Sequence, residues 1–360
     1  MKNLWNDTEA SQFKDDLALR VYTSRLLGQD SSLVLHGGGN TSVKITETNI
    51  VGEQEEILYV KGSGWDLISI EAAGFSPVRM AHMIKLAELE SLSDPQMVNE
   101  LKTQLTNASA PAPSVETILH AILPFKYVDH THADAVVTIS NTSNGEERIR
   151  EIYGDRVVVV PYVMPGFDLS KDVDRLFSEQ ATDKTEGMVL LNHGIFSFGD
   201  TAKQAYDRMI ELVDLAEQYL IKQNAWEVKK PSSNVGSKSI RNKIARLRSE
   251  ISAVIDNPIL FNLTDSKQGI DFSNRDDVDD IATRGPVTPD HVIRTKRIPM
   301  IGRDVGAYTK AYEAYFKTHE PNAKERKTIL DTAPRVILDS EFGLCAVGKN
   351  MGEIGIIADL

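Results

Sequence analysis

Residues 32–64, SLVLHGGGNTSVKITETNIVGEQEEILYVKGSG, decide the fold class. Three short apolar runs, Ser32–Leu35, Thr41–Ile45 and Ile57–Val60, are separated by glycine-rich turns, and that pattern predicts strands of one sheet. Upstream, Ser11–Leu27 carries Phe13, Leu17 and Val21 on one stripe with Gly28 behind it, which predicts a helix. Downstream, Asp94-Pro95 places an N-cap before a first-turn proline and opens a second helix. Pro113-Ser114 opens a third that runs to about Leu123, where Pro124 stops it. The β-branched runs Val136–Ser140 and Val157–Tyr162 predict strands, and Met188–Phe198 predicts a strand that turns at Asn192-His193-Gly194. Asp200-Thr201 then caps a long amphipathic helix ending near Trp226. The class is α/β, a central sheet flanked by helices.

The best domain boundary is Lys229–Ser239, KKPSSNVGSKS, rich in Pro, Ser, Gly and Lys. It divides a catalytic domain, residues 1–230, from an extension, residues 231–360, predicted as mixed α/β. The extension reads as helices around Ile240–Ile255 and Tyr308–His319 with an irregular acidic stretch between them. Its tail, VILDSEFGLCAVGKNMGEI, echoes MVLLNHGIFSFGDTAKQA: strand, turn, glycine-ended strand, helix. The echo lacks the histidine and reads as structural reuse without chemistry.

Composition bounds the function. Over 360 residues, 41% hydrophobic and 26% charged residues supply a substantial core and exclude wholesale disorder. Forty Lys and Arg against 52 Asp and Glu leave a formal charge of −12. A chain this acidic repels nucleic acid and anionic lipid, so phosphate must be held in a local pocket. The single cysteine, Cys345, excludes a disulfide framework and a cysteine-based zinc site. No run approaches 18 apolar residues and the N-terminus is charged, so a soluble, cytoplasmic protein is expected.

The histidines are unevenly spread. In His130-Thr131-His132 the imidazoles are two apart on an extended segment and project to one face. His193 sits in the turn Asn192-His193-Gly194. Three imidazoles without cysteine form the ligand set of a catalytic divalent metal, usually zinc, although an HxH pair alone more often binds none. Glu116 and His120 are four apart and share a helix face. Glu116 is a candidate fourth ligand or general base; a plain first-turn acid at a helix N-terminus is the competing reading. Two turns, His36-Gly37-Gly38-Gly39-Asn40-Thr41-Ser42 and Lys61-Gly62-Ser63-Gly64, offer backbone N–H groups and polar donors to a phosphate. Neither has P-loop or GxGxxG spacing. There is no HExxH and no GxSxG.

Taken in order, HGGGNTS, KGSG, PSVE, HTH and NHG resemble the class II aldolase/adducin superfamily, over roughly residues 15–225. The whole chain, with TPDHVIRTKR and PRVILDSEFGLCAVGK, is similar to the aldolase half of bifunctional rhamnulose-1-phosphate aldolase/lactaldehyde dehydrogenase proteins. The resemblance implies a class II aldolase-like sheet with His130, His132 and His193 as zinc ligands. Glu116 would ligate the free metal and act as acid/base once substrate displaces it, and Gly39, Asn40, Ser63, Gly64 and Ser114 would hold the phosphate. Two departures stand out: Ser63 replaces a usual Thr and Val115 a usual Ser, so His36 and Lys61 become candidate phosphate donors. The implied substrate is a small-molecule sugar phosphate, L-rhamnulose 1-phosphate first, cleaved to dihydroxyacetone phosphate and an aldehyde such as L-lactaldehyde. Zinc is the implied metal, other divalent ions being admitted by the same ligands, and a homo-oligomer, a tetramer, the implied assembly. An epimerase, dehydratase or decarboxylase on the same metal site, and a non-catalytic adducin-like module, are the alternatives. In the extension, the basic cluster His291, Arg294, Lys296 and Arg297 either reaches over the pocket, with Arg294 on the substrate, or is an ordinary charge run.

Overall fold

A computed structural model describes residues 1–226, 240–264, 266–323 and 325–360. The expected boundary, 229–239, lies outside the described residues. The chain divides into two compact units, Met1–Asn224 and Ala225–Leu360. The fold is α/β in both, a central sheet with flanking helices followed by a mixed α/β extension.

The first unit is built on β1 (Asn40–Thr48), β2 (Gln54–Lys61), β3 (Phe75–Arg79), β4 (Tyr127–Thr131), β5 (Val157–Val160), β6 (Gly187–Leu190) and β7 (Gly194–Gly199). They form one sheet in the order β3-β2-β1-β4-β7-β6-β5; β5 and β6 run parallel and every other neighbouring pair antiparallel. Alternate side chains leave opposite faces of a strand, and the core divides accordingly. Val157, Val159, Val189 and Ile195 pack with the helices Asp134–Ser140, Gly145–Tyr153 and Ala202–Lys222. Val158, Val160, Met188, Leu190, Phe196 and Phe198 pack with Phe167–Gln180. At the centre, β4 is buried throughout.

Several expectations need correction. Ser32–Leu35 is a turn, because the Asp30 carboxylate accepts from both the backbone N–H and the hydroxyl of Ser32 and bends the chain there. Val136–Ser140 is helical, within Asp134–Ser140. That helix is buried almost all round, and such a helix carries the same continuous apolar run as a buried strand. The first long helix is Asp16–Gly28, capped by Asp15 rather than opened at Ser11. Ser93, not Asp94, is the N-cap of Asp94–Thr103 and forms a capping box with Gln96. The helix expected from Pro113-Ser114 is only Thr117–Ile122, with Glu116 at its N-cap.

The second unit carries β8 (Leu260–Leu263), β9 (Met300–Ile301), β10 (Val336–Asp339) and β11 (Gly343–Gly348) in the order β8-β11-β10-β9. The order repeats β4-β7-β6-β5, with the same pairing senses: outer strands β9 and β10 parallel, the other two pairs antiparallel. The hairpins close alike, Leu190 opposite Gly194 and Asp339 opposite Gly343. A single long helix, Phe167–Gln180 or Val305–His319, joins the parallel pair in each. After the hairpin, Thr201 and Asn350 cap the next helix by accepting from the N–H three residues on. A Cβ on Gly199 would meet Ala205 N at 3.0 Å, and one on Gly348 would meet Ile354 N at 2.9 Å. The tail echo is thus the end of a repeated four-strand half-fold.

Candidate metal centre

Two chain segments meet at the end of the central strand. His130 lies in β4 and His132 just beyond it, so an extended backbone puts both rings on one side. Asn192, at φ 59°, turns the β6–β7 hairpin and delivers His193 to the same place. Gly194 lets this hairpin approach: a Cβ there would lie 2.4 Å from the Thr131 carbonyl and about as close to both β4-side imidazoles as packing allows. One ring nitrogen from each of His130, His132 and His193 lies within 4.8 Å of the others, His130 and His193 buried and His132 half-buried. This cluster can coordinate a metal ion.

The donor chemistry fits one. His130 Nδ1 is 3.1 Å from the Ile195 carbonyl, which fixes the proton on Nδ1 and turns the Nε2 lone pair toward the cluster. His132 Nε2 stands 3.1 Å from it. A tetrahedral zinc ion with bonds of about 2.0–2.1 Å needs ligand atoms roughly 3.3 Å apart. Glu116 lies beside the cluster, with Oε1 3.6 Å from His193 Nε2 and Oε2 3.6 Å from His130 Nε2. Oε1 is buried with no hydrogen-bond partner among the described residues, a costly state for a carboxylate that a cation relieves. Burial, then the neighbouring His132 and His193, hold the His130 imidazole well below its ordinary pKa, so it offers a neutral ligand. Beneath it, the fully buried Arg20–Asp129 ion pair, 2.6 Å apart, anchors β4.

Three loops converge beside the cluster. Lys61 Nζ donates to the Gly37 carbonyl at 2.7 Å, Gly62 bridges Pro113, and Ser63 N donates to Ala112 O at 2.8 Å. Gly39, at φ 60°, lies against the His130 carbonyl, where a Cβ would be 2.6 Å away. Ser63 and Gly64 are exposed and Ser114 half-buried, and Ser114 Oγ accepts from Asn40 Nδ2 at 3.2 Å. His36, at φ 39°, is half-buried in the first turn. Arg294 is exposed at the end of the helix Pro289–Arg294, in the second unit. Sequence reasoning placed His120 on the helix face of Glu116 but gave it no role. His120 is fully buried with its Nδ1 2.8 Å from Ser42 Oγ and its Nε2 on Asn40 Oδ1, and burial pushes its pKa down to about 3.

In the second unit the registers place Leu263 opposite Cys345 as His130 is opposite Phe196. Phe342 precedes Gly343 as His193 precedes Gly194. Instead of a metal, Asp339 organises that hairpin: it takes Arg303 at 2.7 Å through both oxygens and accepts from the N–H of Glu341 and Phe342.

Residues 18–220 match the family described as Class II Aldolase and Adducin N-terminal domain, and residues 238–360 match Aldolase class II, second domain. The N-terminal class II aldolase domain of a conserved protein from Thermoplasma acidophilum is 45% identical, covering 61% of this chain and 99% of that one with a TM-score of 0.57. A sugar-phosphate aldolase from Thermotoga maritima is 16% identical over 57% of this chain and 97% of that one, with a TM-score of 0.42. A Bacillus subtilis protein named Uncharacterized oxidoreductase YuxG is 31% identical over 374 residues, 97% of this chain but 53% of that protein. The chain spans about half the length of this curated relative. With more than half of its residues inside the first family match, all three clustered histidines among them, the chain belongs to the class II aldolase and adducin family.

Proposed function

We propose that the chain is a zinc-dependent aldolase that cleaves a ketose 1-phosphate, L-rhamnulose 1-phosphate first, into dihydroxyacetone phosphate and an aldehyde such as L-lactaldehyde. The observation that carries this reading is Glu116: a buried carboxylate with one oxygen uncommitted, 3.6 Å from imidazoles of a three-histidine cluster. A divalent ion held by His130, His132 and His193 supplies Lewis-acid stabilisation of the negative charge that develops as the bond breaks. The chain's own groups do the rest. As C3–C4 breaks, the C4 hydroxyl becomes the aldehyde carbonyl and gives its proton to water, the electron pair of the broken bond stays on C3, and Glu116, in its protonated form, delivers a proton there and regains one from water. The loops of Gly39, Ser63-Gly64 and Ser114 receive the phosphate.

The test is release of dihydroxyacetone phosphate from L-rhamnulose 1-phosphate by metal-loaded protein, with and without chelator. Chelator-sensitive release is expected. Glu116→Gln is expected to bind metal and to lose on the order of 10²–10⁴-fold in kcat. Near wild-type cleavage by that variant would sink the assignment, and metal-loaded protein that releases nothing would overturn the substrate.

A further inference from the structure

We infer that Asn40 and His120 are positioning residues for Glu116, acting through a directed hydrogen-bond chain that begins at Ser42; the inference rests on the role proposed above for Glu116. The chain follows from the spacing of two elements. Asn40 and Ser42 are two apart on β1, on one face and about 6.8 Å apart along the strand. Glu116 and His120 are four apart, and the Glu116 carbonyl accepts the His120 N–H at 3.0 Å, one helical turn of about 6 Å. The two repeats match in length, so each strand residue meets a helix residue.

Chemistry then fixes every proton. A carboxylate only accepts, so the amide facing Glu116 Oε2 at 2.6 Å is Asn40 Nδ2. Asn40 Oδ1 is therefore turned to His120 Nε2, which must donate. That leaves His120 Nδ1 as the bare nitrogen, and it takes the Ser42 hydroxyl at 2.8 Å. Asn40 is 6% exposed, Glu116 5%, and Ser42 and His120 are fully buried, so water cannot substitute for a lost link. The chain holds Oε2 and leaves Oε1 as the oxygen turned to His193. It also consumes the Asn40 side chain. With Nδ2 shared between Glu116 and Ser114 and Oδ1 on His120, that side chain has no N–H left for a phosphate.

A double-mutant cycle tests this, read as the Kd for Co²⁺ from the visible absorption of the bound ion in chelator-treated, full-length protein. His120→Leu removes both ring nitrogens at similar volume. It is expected to weaken Co²⁺ binding on the order of tenfold, and to cause no further loss when Glu116 is already Gln. His120→Gln, whose amide nitrogen reaches the place of Nε2, is expected to bind Co²⁺ as the wild type does. Equal loss in both backgrounds, no loss in either, or a Gln variant as weak as the Leu variant overturns the inference. Where His120→Leu does not fold, Asn40→Ala takes its place in the cycle with the same expectations. In the cleavage assay, kcat is expected to fall with KM within twofold; a protein that cleaves no ketose 1-phosphate but shows the coupled cycle keeps the positioning and loses the reaction.

Discussion

His120 is neutral because burial outweighs the pull of the Glu116 carboxylate toward the cation. It is fully buried, Asn40 and Ser42 satisfy both its nitrogens in the neutral state, and its pKa sits near 3 against an ordinary 6.5. The depressed value gives a pH dependence of definite sign. Between about pH 3 and 6.5 the unfolded chain holds a proton on this residue that the folded protein does not, so acid favours unfolding. The contribution is complete above pH 6.5 and is lost, at about 1.4 kcal/mol per pH unit, as the pH falls toward 3. Denaturant midpoints of chelated protein between pH 7 and 5 are expected to fall more steeply for the wild type than for His120→Gln; parallel curves would mean that the buried imidazole does not control this slope. At this scale the three-histidine cluster was legible in the sequence, because histidine is rare and the two-residue spacing in His130-Thr131-His132 needs only an extended backbone. The side-chain role of Asn40 was not, since it depends on contacts with residues 76 and 80 positions away.

The hairpin β6–β7 is the element on which the site turns. A Cβ added at Gly194, its first residue after the loop, would meet the Thr131 carbonyl and the rings of both His130 and His132. Gly194→Ala must therefore push the hairpin away from β4, at about 1–3 kcal/mol of stability. Because the displaced element carries His193, metal affinity is expected to fall with it. Gly52→Ala is the control: φ is 88°, but nothing lies within 4 Å of the added methyl. It is expected to cost about 1–2 kcal/mol from backbone strain and to leave metal binding unchanged. Denaturation and Co²⁺ titration of the two variants separate the cases; equal metal affinity in both would remove the hairpin from control of the site. Legibility at this scale followed the same divide. The hairpin was readable, since Asn192-His193-Gly194 interrupts two apolar runs. Helix Asp134–Ser140 was misread because it is short and exposes only Asp134 and Thr138, leaving an apolar run that reads as a strand, and Ser32–Leu35 because a single Asp30 side chain bends a run that is otherwise apolar.

The molecule as a whole uses one half-fold twice and, among the described residues, carries a three-histidine cluster in one copy. In the first unit the repeat ends in His130 and His193; in the second the same registers hold Leu263 and Phe342, and an Asp339–Arg303 pair occupies the hairpin. Each unit also has its own apolar core. Leu247, Ile251, Met300, Ile337 and Val347 cluster within the second, and Val159, Val189, Ile195 and Met209 within the first. Among the described residues the cluster that can hold a metal lies in the first unit, and metal is expected to stabilise that one. An ion at a hundred times its Kd contributes about 2.7 kcal/mol to the unit that binds it, or roughly 5–10 °C for a unit of this size. Calorimetry of the full chain is expected to resolve two transitions, of which chelator lowers one by that amount and leaves the other in place. Ile251→Ala, which empties a fully buried position of the second unit, should do the reverse, costing about 2–5 kcal/mol in the metal-insensitive transition alone. A single transition that moves with both treatments would mean that the two units unfold as one cooperative body, and that metal binding in the first is felt by the copy that lost its ligands.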